Sequence, residues 1–161
     1  MERLKDLVAD TPCLAPLDFE TESETILAVD SSNIAIGFVL YQVDGEDQRR
    51  PIRFGSMTFN DHESRYSQPK LELYGLYRAL RKWRTYLVSV RNLVVEVDAL
   101  SVRGMLNSPE LVTNATVGRW VEEISTYAFK LQHVRAPQHT VPNGLSRRPR
   151  APEDTESSES E

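Results

Sequence analysis

Ile26-Leu27-Ala28-Val29-Asp30, then Ser31-Ser32-Asn33, then Ala35-Ile36-Gly37-Phe38-Val39-Leu40-Tyr41-Gln42, then Asp44-Gly45: this run decides how the rest of the chain is read. Its first segment is a short apolar stretch closed by an acid, the pattern of a buried strand. A polar turn follows, then a second segment rich in β-formers. Asp44-Gly45 is a hairpin signal, and a third strand is expected near residues 52–59. Three successive strands joined by short turns make an antiparallel meander.

Toward the C-terminus the pattern changes period. Ser67 reads as a helix N-cap with Pro69 in the first turn. Leu73, Leu76, Tyr77, Leu80, Trp83 and Leu87 recur at spacings of three and four, which predicts one amphipathic helix. A strand over 93–98 is expected next, then a short helix near 101–106. Val117, Trp120, Val121, Ile124 and Tyr127 mark another helix, and 130–134 a last strand. The order β-β-β-α-β-α-α-β places the chain in the α/β class. Its sheet is mixed and five-stranded, the antiparallel meander plus parallel strands, and flanked by helices.

The segments outside this body read differently. Residues 1–24, with Leu4, Leu7 and Val8 running into Pro12 and Pro16, read as a connection, leaving 25–148 as the folded domain. Residues 149–161 hold too little apolar surface to fold and are expected to be disordered. No internal repeat is visible.

Composition narrows the class. The 161 residues suit one domain plus tails, and the 40% hydrophobic content supports a core. No apolar run approaches the roughly 20 residues of a membrane span, and Met-Glu-Arg-Leu-Lys-Asp carries no secretory h-region. Cys13 is alone, so an intramolecular disulfide and a Cys-based zinc site are excluded, and an intracellular setting is expected. The net charge of −5 is concentrated in the tail, where Glu153, Asp154, Glu156, Glu159 and Glu161 face Arg150. Without residues 150–161 the chain has 18 basic and 19 acidic side chains, which does not repel nucleic acid. Arginine outnumbers lysine 15 to 4, favouring bidentate phosphate contacts.

Three acids carry the chemical signal. Asp30 closes the first strand and Asp98 closes Leu93-Val94-Val95-Glu96-Val97, so both fall at strand carboxyl ends, where ligands gather in sheets with crossover helices. Alone, each also reads as a strand-ending turn residue. Glu72 shares a helix face with Leu76, Ala79, Leu80 and Trp83, so it borders the buried stripe. Such carboxylates are costly to bring together unless a cation holds them. Hard oxygen ligands without His or Cys suit Mg²⁺ or Mn²⁺ better than zinc. Ser31, Ser32 and Asn33 are short hydrogen-bonders placed for sugar or phosphate contacts, or simply turn formers. Arg78, Arg81 and Lys82, with Arg84, lie around the outer side of the main helix, as a solvated surface or a phosphate track.

These motifs together resemble the ribonuclease H domain of a gypsy-type LTR retrotransposon reverse transcriptase, close to fungal versions. The residues that carry the resemblance are Val29-Asp30-Ser31-Ser32 with Ala35 to Leu40, and Tyr66-Ser67-Gln68-Pro69-Lys70-Leu71-Glu72-Leu73-Tyr74. Trp83, Tyr86-Leu87, Val97-Asp98-Ala99-Leu100, and His133 followed by Gly144-Leu145-Ser146-Arg147-Arg148 complete it. The resemblance spans about residues 15–149 and implies metal ligands at Asp30, Glu72, Asp98 and position 143. The family has an aspartate at this last position and this chain has Asn143. It also implies that His133, ten residues upstream, assists proton transfer or product release.

The implied reaction is two-metal hydrolysis of the RNA strand of an RNA–DNA hybrid, using two Mg²⁺ ions with Mn²⁺ able to substitute. The implied partners are the hybrid and the polymerase portion of the same polyprotein. Asn143 lacks the charge of its family counterpart. Losing a charge-assisted contact of that kind costs about 1.5–3 kcal/mol, so weakened activity is expected. The alternative is an inactive module of the same fold that positions nucleic acid or packs against another subunit. A strand-transfer domain of the integrase type orders its acids Asp, Asp, Glu, whereas here Glu72 stands between the aspartates.

Overall fold

The computed structural model describes residues 14–98 and 100–134; Asn143, the Gly144–Arg148 motif and the acidic tail lie outside them. Five strands form one sheet: β1 (Thr25–Ser31), β2 (Ala35–Val43), β3 (Arg49–Thr58), β4 (Leu93–Val97) and β5 (Lys130–His133). Their order across the sheet is β3-β2-β1-β4-β5. β1 is antiparallel to β2 and parallel to β4, and β4 is parallel to β5. The meander and the crossover therefore meet on β1, which is buried along its whole length. The mixed sheet expected from the sequence is the one observed.

Four helices accompany the sheet: α1 (Gln68–Lys82), α2 (Arg84–Leu87), α3 (Leu100–Asn107) and α4 (Ala115–Ser125). α1 lays Leu73, Leu76, Ala79 and Leu80 against Leu27, Val29, Ile36, Phe38 and Leu40, and α4 adds Val121 and Ile124. A fully buried Leu or Phe is worth about 1.5–3 kcal/mol, so this one layer of contact dominates the stability. Asn114 caps α4, its Oδ1 accepting from Thr116 N at 3.0 Å and Val117 N at 3.1 Å.

Three details depart from the sequence reading. The single helix expected through Leu87 breaks at Trp83 (φ −107°, ψ 20°), dividing α1 from α2. Trp83 is buried with its ring edge-on to Phe38, centroids 4.5 Å apart, so tertiary packing overrides a continuous apolar period. Ser67 precedes α1 but makes no side-chain cap. The β2–β3 hairpin is present, but its turn is wider than a two-residue Asp-Gly turn. Asp44 Oδ1 accepts from Glu46 N and Gln48 N, and Asp47, not Gly45, takes the left-handed conformation (φ 61°).

The segment before β1 lies along the sheet. Ala15 N donates to Pro51 O at 2.9 Å, and Gln42 exchanges hydrogen bonds with the Asp18 backbone at 3.0 and 2.7 Å. Among the described residues no helix is long and apolar enough to cross a membrane.

Candidate nuclease centre

Strand register brings the two aspartates together. Val29 pairs with Val97 across parallel strands, so Asp30 and Asp98 follow at the same sheet edge, on chains about 4.8 Å apart. Asp30 is 4% exposed, while the Asp98 side chain is 32% exposed and opens the edge to solvent. Glu72 reaches this edge from the first turns of α1 and is 5% exposed.

A glycine makes that approach possible. A Cβ on Gly75 would stand 2.0 Å from Ser31 Oγ and 2.6 Å from Ile36 Cγ2, so α1 could not lie this close to β1 with any larger residue. Glycine inside a helix costs about 1 kcal/mol against alanine, and here the close packing compensates.

Glu72 is the electrostatic anomaly of the site. Gln68 Nε2 donates to its Oε1 at 2.6 Å and to Ser31 O at 3.0 Å, which ties helix to strand. Oε2 is buried with no hydrogen-bond partner. Burial, and then the charges of Asp30 and Asp98, raise its pKa from 4.5 to about 8. A buried carboxylate with one orphaned oxygen, facing two further acids, is chemically matched to a hard divalent cation. Among the described residues no three His, Cys, Asp or Glu side chains yet converge to coordination distance.

The remaining sequence candidates fall in distinct places. His133, at the end of β5, lies beside Asp98: its Nε2 donates to Asp98 O at 2.8 Å and stands 3.9 Å from Asp98 Oδ1. Because a carbonyl only accepts, Nε2 carries the proton. Ser32 Oγ folds its own turn, accepting from Ile34 N and Ala35 N. Ser31 Oγ is buried toward Gly75, and Asn33 is exposed at the rim. Arg78, Arg81 and Lys82 share a groove with Tyr66, Tyr74, Tyr77 and Trp120. Arg81 is nine residues from Glu72, about 180° around the helix, and Arg78 is six residues on, about 120° around, so both guanidinium groups are turned away from the acids, while Lys82 stands about 80° away at the helix end.

Two features escaped the sequence reading. Glu96, in the middle of β4, is 2% exposed and accepts bidentately from Arg49 of β3 at 2.9 and 2.8 Å. The second is the clustering of Tyr66, just before α1, with Tyr74 and Tyr77 around Trp120 of α4, half-buried against the core and interleaved with Lys70, Arg78 and Arg81.

The structure is an α/β domain with three acids near one edge of a mixed sheet, and comparison with known proteins identifies its family. Residues 20–127 match the RNase H-like domain found in reverse transcriptase, and the chain belongs to that family. It is 35% identical over 146 residues to the retrovirus-related Pol polyprotein from transposon 297 of Drosophila melanogaster, covering 91% of this chain and 13% of that one. It is 24% identical over 148 residues to the transposon Tf2-3 polyprotein of Schizosaccharomyces pombe, covering 91% of this chain and 11% of the polyprotein. The chain thus spans a small part of the curated relatives it matches.

The fold agrees with solved structures. The foamy viral protease–reverse transcriptase in complex with RNA/DNA hybrid superposes with a TM-score of 0.62 at 18% identity, over 93% of this chain and 19% of that one. RNase H1 from Halobacterium salinarum NRC-1 gives 0.52 at 16% identity, over 76% of this chain and 92% of that one.

Proposed function

We propose that the domain hydrolyses the RNA strand of RNA–DNA hybrids as part of the reverse transcriptase of a gypsy-type LTR retrotransposon. The observation that carries this reading is Glu72: buried, with an unpartnered Oε2, and opposed by Asp30 and Asp98 at the strand carboxyl edge. Asp30, Glu72 and Asp98 would hold divalent cations, with Asn143 contributing an uncharged amide oxygen. Such ions, when bound, activate water and stabilise the leaving oxygen of the phosphodiester.

The chain's own residues do the positioning. Gln68 fixes the Glu72 carboxylate so that Oε2 is the oxygen offered to the edge. His133 holds the backbone at Asp98 and sets its imidazole beside that carboxylate. Asn33, exposed past Asp30, is the member of the Ser31-Ser32-Asn33 turn placed to meet a sugar hydroxyl, and the 2′-hydroxyl separates RNA from DNA.

Cleavage of a labelled hybrid in Mg²⁺ and in Mn²⁺ tests this, comparing the chain with Asn143→Asp and Asp30→Asn. Expected are weak activity in the parent, a gain with Asn143→Asp and loss with Asp30→Asn. Three folded but inert proteins would favour a binding or positioning module, the reading that Asn143 supports.

A further inference from the structure

We infer that the groove between α1 and α4 is a second nucleic-acid site, one that takes an unpaired strand on the far side of α1 from the acids. The inference rests on the domain's being one that handles nucleic acid, and is independent of whether it cleaves. The groove encloses about 510 Å³, within the range of ligand clefts. Its floor is aromatic: the Trp120 ring lies 4.6 Å from Tyr74 and 5.9 Å from Tyr66 and Tyr77, centroid to centroid.

Cations rim that floor. Lys70 Nζ stands 3.8 Å over the Tyr66 ring, and the guanidinium groups of Arg78 and Arg81 stand 5.6 and 5.5 Å over Tyr74 and Tyr77. Lys82 is exposed at the end of the helix. Two carboxylates face them, Glu63 at 3.3 Å from Arg78 and Glu123 at 3.3 Å from Arg81, which leaves the rim net positive.

The combination selects the ligand class. Arg and Lys alone would suit any polyanion, including the backbone of a duplex. Aromatic rings add nothing for a duplex, whose bases are already stacked and turned inward. An unpaired strand presents phosphates and base faces together, which is what a basic groove with aromatic side chains takes. An acidic peptide would use the rim and leave the floor idle.

The test is binding without cleavage. Labelled single strands of about 12 nucleotides, oligo(dT) and oligo(rU), and the matching hybrid are titrated into the full chain in chelator, with Trp emission read alongside. Trp120, itself only 7% exposed, lines the groove, whereas Trp83 packs away from it against Phe38, so a change in emission reports Trp120. Tyr77→Leu is expected to weaken single-strand binding at least about 5-fold, with Tyr77→Phe retaining it. Replacing Arg81 and Lys82 with Gln is expected to reduce the slope of log K against log salt by about 1.4, or 0.7 per phosphate contact.

Circular dichroism confirms that each variant is folded. Single-strand affinity within two-fold of the parent in Tyr77→Leu, with an unchanged salt slope, would overturn the inference. So would weakened hybrid binding with single strands spared. A parent chain that binds single strands at this groove yet cleaves no hybrid would refute the nuclease reading and leave this one standing.

Discussion

Among the described residues three glutamates are buried, and two of them are fully partnered while the third keeps an orphaned oxygen. Glu96 accepts both arms of Arg49 across the sheet. Glu63 accepts from Asn60 N at 2.9 Å, from the Tyr74 hydroxyl and from Arg78. Burial and the Glu63 contact push the Tyr74 pKa up to about 12, so that hydroxyl stays a donor. Glu72, similarly buried, has only neutral donors, the Gln68 amide and the Ser31 backbone, with an orphaned Oε2 and two opposing acids. Burial alone therefore does not identify a functional acid. A buried carboxylate that the fold leaves with an unpartnered oxygen is the one the proposed function assigns to a cation.

That comparison can be broken in several ways. The largest expected effect is catalytic: Asp30→Asn should lower hybrid cleavage by more than about 100-fold, the upper figure for loss of a mere outer partner. Glu→Gln substitutions should then separate the two kinds of glutamate by sign, measured by denaturant unfolding in chelator at pH 8. At Glu96 the change breaks a charge-assisted pair and should destabilise, while at Glu72 it removes a charge that burial and neighbours oppose and should stabilise. Arg49→Ala, which strands the Glu96 carboxylate, should cost about 3 kcal/mol.

The pH dependence sharpens the same contrast. The folded pKa of Glu72 is about 8 against 4.5 ordinarily, so between those values the native state binds the extra proton. Its contribution is fully present below pH 4.5 and is lost as pH rises toward 8. The metal-free chain should therefore lose stability across that window, Glu72→Gln should flatten the curve, and saturating Mg²⁺ should reverse it. Smallest is the scaffold effect: Gly75→Ala should cost about 1–3 kcal/mol by forcing α1 off β1, read as a lowered urea midpoint.

Much of this was legible in residues 26–98, and the failures have physical reasons. Strands β1, β2 and β4 announced themselves because buried strands are rich in apolar β-formers, and the acids closing β1 and following β4 located Asp30 and Asp98. Glu72 was legible because a helix face is fixed by 3.6-residue spacing. The break at Trp83 was not, since Leu80, Trp83 and Leu87 keep the period while ring packing on Phe38 bends the chain. Arg49 and Glu96 are 47 residues apart, and nothing local links them. Nor does any spacing reveal that Gly75 meets Ser31, which depends on how closely a helix lies on a sheet. Asn143 was readable from resemblance alone and lies outside the described residues.

The proposed role of Glu72 as a cation ligand is open to calorimetric titration of Mn²⁺ at pH 7 in buffers of differing ionisation heat. With a pKa of about 8, Glu72 carries a proton that a cation must displace. Release of close to one proton per binding event, abolished in Glu72→Gln, is the predicted result. Binding that releases no proton, or that is unchanged in Glu72→Gln, would contradict the account.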